Sequence, residues 1–191
     1  MILEGELQPG EKLVQETLSR RMGVSRTPLL HALTRLEEQM LVESFPNRGM
    51  YVKKFSAEEM RDAFQCRVAV EGLAARLTAQ SAKENELDEL DAVFAPFRKQ
   101  PERADYHAYL RADQHFHRRI LELSGNRILW RLELALNVWH LAYLNGLVRP
   151  PVETLPDHEA ILKALRERDP DAEENGMRRH LEASLAILEK R

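Results

Sequence analysis

Residues 9–55, PGEKLVQETLSRRMGVSRTPLLHALTRLEEQMLVESFPNRGMYVKKF, set the architecture of the N-terminal part of the chain. Their pattern predicts a short helix over about 14–21, a turn at MGVS, and a second helix over about 26–39 capped by Ser25. Leu29, Ala32, Leu33 and Leu36 recur at helical spacing and form the expected buried face of that second helix. Two extended runs follow, LVES and YVKKF, joined by FPNRGM, whose Asn47, Arg48 and Gly49 suit a tight hairpin tip. Helix, glycine-containing turn, helix and hairpin make a winged helix-turn-helix, in which the second helix can lie in a major groove. A small α+β packing module with no such role is the plain alternative on the pattern alone.

On the second helix, the stripe opposite the leucines holds Arg26, Leu30, Thr34 and Glu37. Arg26, in the first turn, can reach a guanine edge or a phosphate, and Ser25 and Thr27 beside the first free N–H groups suit phosphate oxygens. Arg48 at the hairpin tip can enter a minor groove, where Gly49 lets the backbone come close. Lys53 and Lys54 read as solvated charge. Residues 1–54 carry a balance of +1 and the remainder −4, so bulk charge gives little attraction to nucleic acid.

A second unit begins near 53–57, where Ser56 and Glu59 form a capping box. Apolar residues at helical intervals then run to the C-terminus, interrupted at APFRKQPERAD, LSGN, LVRPPVETLPD and RERDPDAEE. About six helices and no strand are expected over 57–191, with Asp157 and Asp169 or Asp171 as N-caps and Asn126 as a cap after SG. The predicted fold is therefore mainly α: a winged helix-turn-helix over 1–54, its first helix missing or truncated, and an all-α antiparallel bundle over 55–191. No apolar run reaches membrane-spanning length, and Glu4 and Glu6 interrupt the short apolar start. The single cysteine, Cys66, excludes an internal disulfide and fits a reducing cytoplasm.

Asp113 and His117, four apart in RADQHFHRRIL, project from one helix face. His158 and His180 each sit among apolar residues at helical spacing, where an unpartnered imidazole is costly to bury. Taken singly, each reads more readily as a satisfied core histidine or a surface pair. Together, three imidazoles and a carboxylate suit zinc, nickel, iron or manganese, provided the fold brings them together. His107, His115 and His140 lack comparable partners. HEAIL opens like a zinc-protease motif but no second histidine follows.

GELQPGEKL (5–13) and LSRRMGVSRTPLLHALTRL (18–36) closely resemble the DNA-binding domain of GntR-type bacterial transcription regulators. RVAVEGLAARLTA, ADQHFHRRILELSGN, DHEAIL and MRRHLEASL resemble the FCD ligand-binding domain of that family's fatty-acid-regulator branch. The resemblance implies that Asp113, His117, His158 and His180 bind a divalent metal and that a small organic acid is sensed. Arg67 matches a recurrent arginine that would neutralise the effector, although an ordinary helix pair with Glu71 accounts for it equally, and Arg149 is a further candidate. It also implies a homodimer on a two-fold double-stranded DNA operator. The sequence departs from the family in three places. An upstream helix is usual there, Leu30 replaces an arginine contact worth about 1–3 kcal/mol, and Met40 stands where a glycine commonly ends the second helix. Two rivals remain at this stage: a metal-dependent enzyme acting on an organic acid, and a truncated sensor lacking DNA binding.

Overall fold

The computed structural model describes residues 1–2, 6–136 and 146–190; His140 lies outside them. The N-terminal unit comprises β1 (Lys12–Leu13), α1 (Gln15–Met22), α2 (Arg26–Glu38), β2 (Val42–Phe45) and β3 (Gly49–Val52). The strands form an antiparallel sheet in the order β1-β3-β2, with Leu13 opposite Met50, and Val42 opposite Val52. The two-residue β1 was not expected from sequence, being too short for a period-2 pattern to show. Leu13, Leu18, Leu29, Leu33, Val42 and Val52 form this unit's core, but Ala32 is exposed, contrary to its expected place on the buried face.

Both helix exits have the same hydrogen-bond geometry. At the end of α1 the N–H groups of Gly23 and Val24 donate to Arg20 O and Ser19 O, with Gly23 at φ +66°. At the end of α2 those of Met40 and Leu41 donate to Glu37 O and Leu36 O, with Met40 at φ +59°. These are Schellman motifs, in which the residue after the cap takes the left-handed conformation. Glycine enters it freely and methionine pays about 1 kcal/mol. The motif sets Leu41 against Leu36 across the helix end.

Six α-helices follow among the described residues, α3 (Ala57–Ser81), α4 (Glu84–Phe94), α5 (Tyr106–Leu123), α6 (Arg127–Leu136), α7 (Pro151–Arg166) and α8 (Pro170–Leu188), with short 3-10 turns at Ala95–Phe97 and Pro101–Arg103. The capping box that starts α3 is complete, with Ser56 Oγ accepting from Glu59 N at 3.1 Å and Glu59 Oε2 from Ser56 N at 2.9 Å. Asp169 caps α8 and Asn126 accepts from the first-turn N–H groups of α6. Asp157 does not cap: α7 begins at Pro151 after N-cap Pro150, so Asp157 is in its interior. Three prolines made 150–156 read as a break, but Pro150 and Pro151 fit the N-cap and first helical turn, where the missing N–H costs nothing, and Pro156 is carried inside the helix.

α3 packs along α8, and α7 packs beside α8. A Cβ on Gly72 would come within 2.8 Å of Arg178 Cγ, and one on Gly176 within 3.3 Å of Ile161 Cγ1, so these two glycines permit the close crossings. No helix among the described residues is long and apolar enough to cross a membrane.

One buried group works against this core. Glu173 in α8 is fully buried, neither carboxyl oxygen has a hydrogen-bond partner among the described residues, and burial pushes its pKa up to about 9. Between about 4.5 and 9 the folded chain keeps a proton that the unfolded chain has released, so stability falls as pH rises across that window. At pH 7 the cost is about 3 kcal/mol. Glu173→Leu is therefore expected to raise the melting temperature, and by more at pH 8 than at pH 5. An equal or smaller gain at pH 8, followed by calorimetry, would show that the carboxyl has a partner.

Candidate metal centre and nucleic-acid face

Asp113 and His117 lie one turn apart on the inward face of α5, His158 comes from α7 and His180 from α8; all four are buried. One candidate ligand atom from each lies within 4.8 Å of all the others. Ligands on opposite sides of an ion at about 2.1 Å stand about 4.2 Å apart. The spacing is thus slightly wider than a closed coordination shell and within reach of small side-chain shifts.

The surroundings determine which ring nitrogen faces inward. His117 Nδ1 is 2.5 Å from Glu71 Oε2 and His180 Nδ1 is 3.3 Å from Asp157 Oδ2. Burial alone would raise the Glu71 carboxyl, but the Arg67 guanidinium and the contact with His117 prevail and hold it down to about 2. Burial likewise opposes ionisation of Asp157, and bonds from His180 and Arg149 bring it below the usual carboxylate range. Both acids are therefore acceptors, and both imidazoles carry their proton on Nδ1. On α7, Thr154 donates to Pro150 O at 3.4 Å. The Tyr109 hydroxyl lies 2.8 Å from Thr154 Oγ1 and 3.2 Å from His158 Nδ1, so a chain of bonds can run from His158 through Tyr109 to Thr154. In that direction the Nε2 lone pairs of all three rings face the interior.

Burial, followed by the neighbouring imidazoles His180 and His117, pushes the His158 pKa well below its ordinary value. Burial also lowers that of His180, against the opposing pull of Asp157. Neutral imidazole is the metal-binding form. Among the described residues the buried Nε2 atoms of His117 and His158 have no hydrogen-bond partner, although Asp113 oxygens stand 4.0 and 3.2 Å away. Buried polar atoms are nearly always satisfied, by protein, water or an ion. A divalent cation fits this donor set: inward lone pairs, one carboxylate, and Nδ1 protons held by outer partners, as around metal-binding histidines.

A narrow cleft adjoins the tetrad, lined by Asp113, His180, Arg67, Arg149, Phe64 and Val148 among others. Its free volume, about 20 Å³, is close to that of a single water-sized sphere. Both candidate effector arginines reach it, and each also holds a carboxylate of the chain. Arg67 Nε donates to Glu71 Oε1 at 2.5 Å, so the helix pair expected as its alternative role exists and is buried. Arg149 Nη1 donates to Asp157 Oδ2 at 2.7 Å. Glu71, Tyr109, Thr154 and Asp157 were not singled out as site residues in the sequence. Their partners lie 23–49 positions away, beyond any helical spacing.

At the other end of the chain, Ser25, Arg26 and Thr27 are exposed at the start of α2, and Arg48 and Gly49 at the hairpin tip. Ser25 occupies the N-cap, but its side chain makes no capping bond. Arg26 Nε donates to Gln15 Oε1 at 3.1 Å, and the Arg48 guanidinium sits 5.6 Å over the Phe45 ring. Gly49 has φ +92°, a conformation that favours glycine. Two expectations are corrected. Glu37 is half-buried and accepts from Ser44 N at 3.2 Å, tying α2 to the wing rather than extending the outward stripe. Lys53 is not plain solvated charge: it pairs with Glu59 at 2.6 Å and lies 5.3 Å over the Phe55 ring.

The sequence profile of the FCD domain matches residues 62–183, and that of bacterial regulatory proteins of the gntR family matches residues 1–52. The chain is 31% identical over 179 residues to the HTH-type transcriptional repressor RspR of Escherichia coli (strain K12), which covers 92% of this chain and 78% of that protein. Solved structures of E. coli McbR/YncC and of a GntR regulator from Rhodococcus sp. RHA1 superpose with TM-scores of 0.80 and 0.79. Both are 22% identical, over 99% of this chain and 92% of theirs, a likeness of fold alone.

Proposed function

The chain belongs to the GntR family of bacterial transcription regulators and carries an FCD domain, and on that premise we propose that it is a cytoplasmic, homodimeric repressor that senses a metal-bound organic acid. Its families and relatives are transcription regulators, not enzymes. The reading takes 1–54 as the DNA-reading unit and 55–191 as the sensing unit, within the fatty-acid-regulator branch. Repression follows the name of the relative RspR.

The observation that carries the metal reading is the pair of buried, unpartnered Nε2 atoms of His117 and His158 beside Asp113 and His180. The four residues would hold zinc, nickel, iron or manganese and leave coordination positions open. The ion would act as a Lewis acid toward the effector carboxylate. Arg67 and Arg149 are the cations of the chain beside that position. Because the cleft has room for about one water, an effector of several carbon atoms must displace part of the 146–149 segment that lines it.

Ser25, Arg26, Thr27, Arg48 and Gly49 would meet the operator, with phosphate contacts from the α2 start and a minor-groove contact from the hairpin. A unit with so small a positive balance gains affinity by pairing. An exposed or half-buried apolar stripe on α3, with Cys66, Ala69, Val70, Leu73 and Leu77 at helical spacing, is the face proposed for the second copy.

Three measurements test this reading. Elemental analysis should find about one equivalent of transition metal per chain, lost on changing His158 and His180 together to Ala; metal-free native protein after reconstitution would remove the sensor mechanism. Arg26→Ala should weaken binding to an operator selected with the native protein by about 5- to 150-fold, and unchanged affinity would mean that α2 meets DNA by another face. Leu73→Glu should yield monomers in sedimentation and weaken operator binding; a dimer of native affinity would place the pairing surface elsewhere.

A further inference from the structure

Met60, Phe64, Arg67 and Glu71 recur at three- and four-residue intervals, so they share one face of α3 along about 16 Å of helix. All four are buried. At the sensing end Glu71 binds His117 Nδ1 and receives Arg67. The Arg67 guanidinium lies 5.0 Å over the Phe64 ring, which also lines the cleft beside the tetrad. At the other end Phe64 and Met60 belong to one apolar cluster with Phe55 and Leu41. Leu36 of α2 packs against this cluster and also against the core of the N-terminal unit.

The segment between the two units is held on both sides. Lys53 N–H donates to Leu41 O at 3.0 Å, and its ammonium pairs with Glu59 in the first turn of α3. The end of α2, the exit of β3 and the start of α3 therefore share hydrogen bonds, an ion pair and one apolar cluster. The packing around Phe64 is thereby continuous with the end of α2.

We infer that this face of α3 is a strut carrying metal occupancy to the DNA-reading helix, in the order His117, Glu71, Arg67, Phe64, Met60 with Phe55, Leu41, Leu36. Glu71 and Arg67 are positioning residues in it: they orient the imidazole and relay its position to Phe64. Phe55 is the joint, because it does not line the cleft and stands at the boundary of the two units in sequence. The inference rests on the metal reading above, since it needs an occupant at the tetrad.

Hydrogen exchange of the full chain, with and without zinc ion alone, separates the two. In the native protein zinc should slow exchange around 113–117 and also change exchange over 33–41 by about fivefold or more. In Phe55→Leu, and separately in Leu41→Val, the 113–117 effect should persist while the change over 33–41 falls below about twofold. Protection at 113–117 with no change over 33–41 in the native protein overturns the strut and leaves the metal reading standing. No change at either place overturns both. An undiminished response over 33–41 in both variants overturns the assignment of Phe55 and Leu41.

Discussion

Burial of three imidazoles and the two carboxyl groups of Glu71 and Asp113 in the middle of a helical domain is the constraint to which the rest of this structure answers. Such groups are costly away from water unless each finds a partner. Here the partners form an outer layer: Glu71 for His117, Tyr109 with Thr154 for His158, and Asp157 for His180. That layer in turn holds Arg67 and Arg149, so charge is matched outward from the centre. The layer satisfies the Nδ1 side of each ring. Two Nε2 atoms remain without a hydrogen bond, and a bound cation is the occupant that would complete the set.

The backbone serves that centre. Four elements supply or support the tetrad, and their convergence depends on how closely α8 can lie between α3 and α7. Gly72 and Gly176 permit those crossings, and Ala74, Ala75 and Ala79 keep α3 slim among buried residues. Because α3 both supports the tetrad and begins at the N-terminal unit, the two units share one helix. The Schellman turn at Met40 fits the same arrangement. It places Leu41 in the larger apolar cluster and Leu36 against both, at the expense of a left-handed methionine.

Much of this was legible in the sequence because it depends on local spacing. The second helix, the hairpin tip, the Ser56–Glu59 box and the pairing of Asp113 with His117 on one face are each decided within a few residues. Bringing His158 and His180 to that pair is a long-range event, and only the resemblance of DHEAIL and MRRHLEASL to family motifs anticipated it. The outer partners were missed for the same reason: Glu71 was visible as the partner of Arg67, but not of a histidine 46 positions on. Asp157 was misread as a cap because the prolines at 150, 151 and 156 imitate a loop, whereas two of them start the helix. Lys53 looked like solvated charge because its two partners, Glu59 and the Phe55 ring, come together only once α3 folds back on the wing.

Anomalous diffraction from crystals of the reconstituted protein, collected on either side of the absorption edge of the bound metal, tests the central claim most directly. One anomalous peak within bonding distance of Asp113, His117, His158 and His180, with Glu71 and Asp157 still on the outer ring nitrogens, is the result expected. An ordered tetrad with no peak, its Nε2 atoms bonded to water or to each other, would contradict a resident metal and make the four residues a polar network of the core.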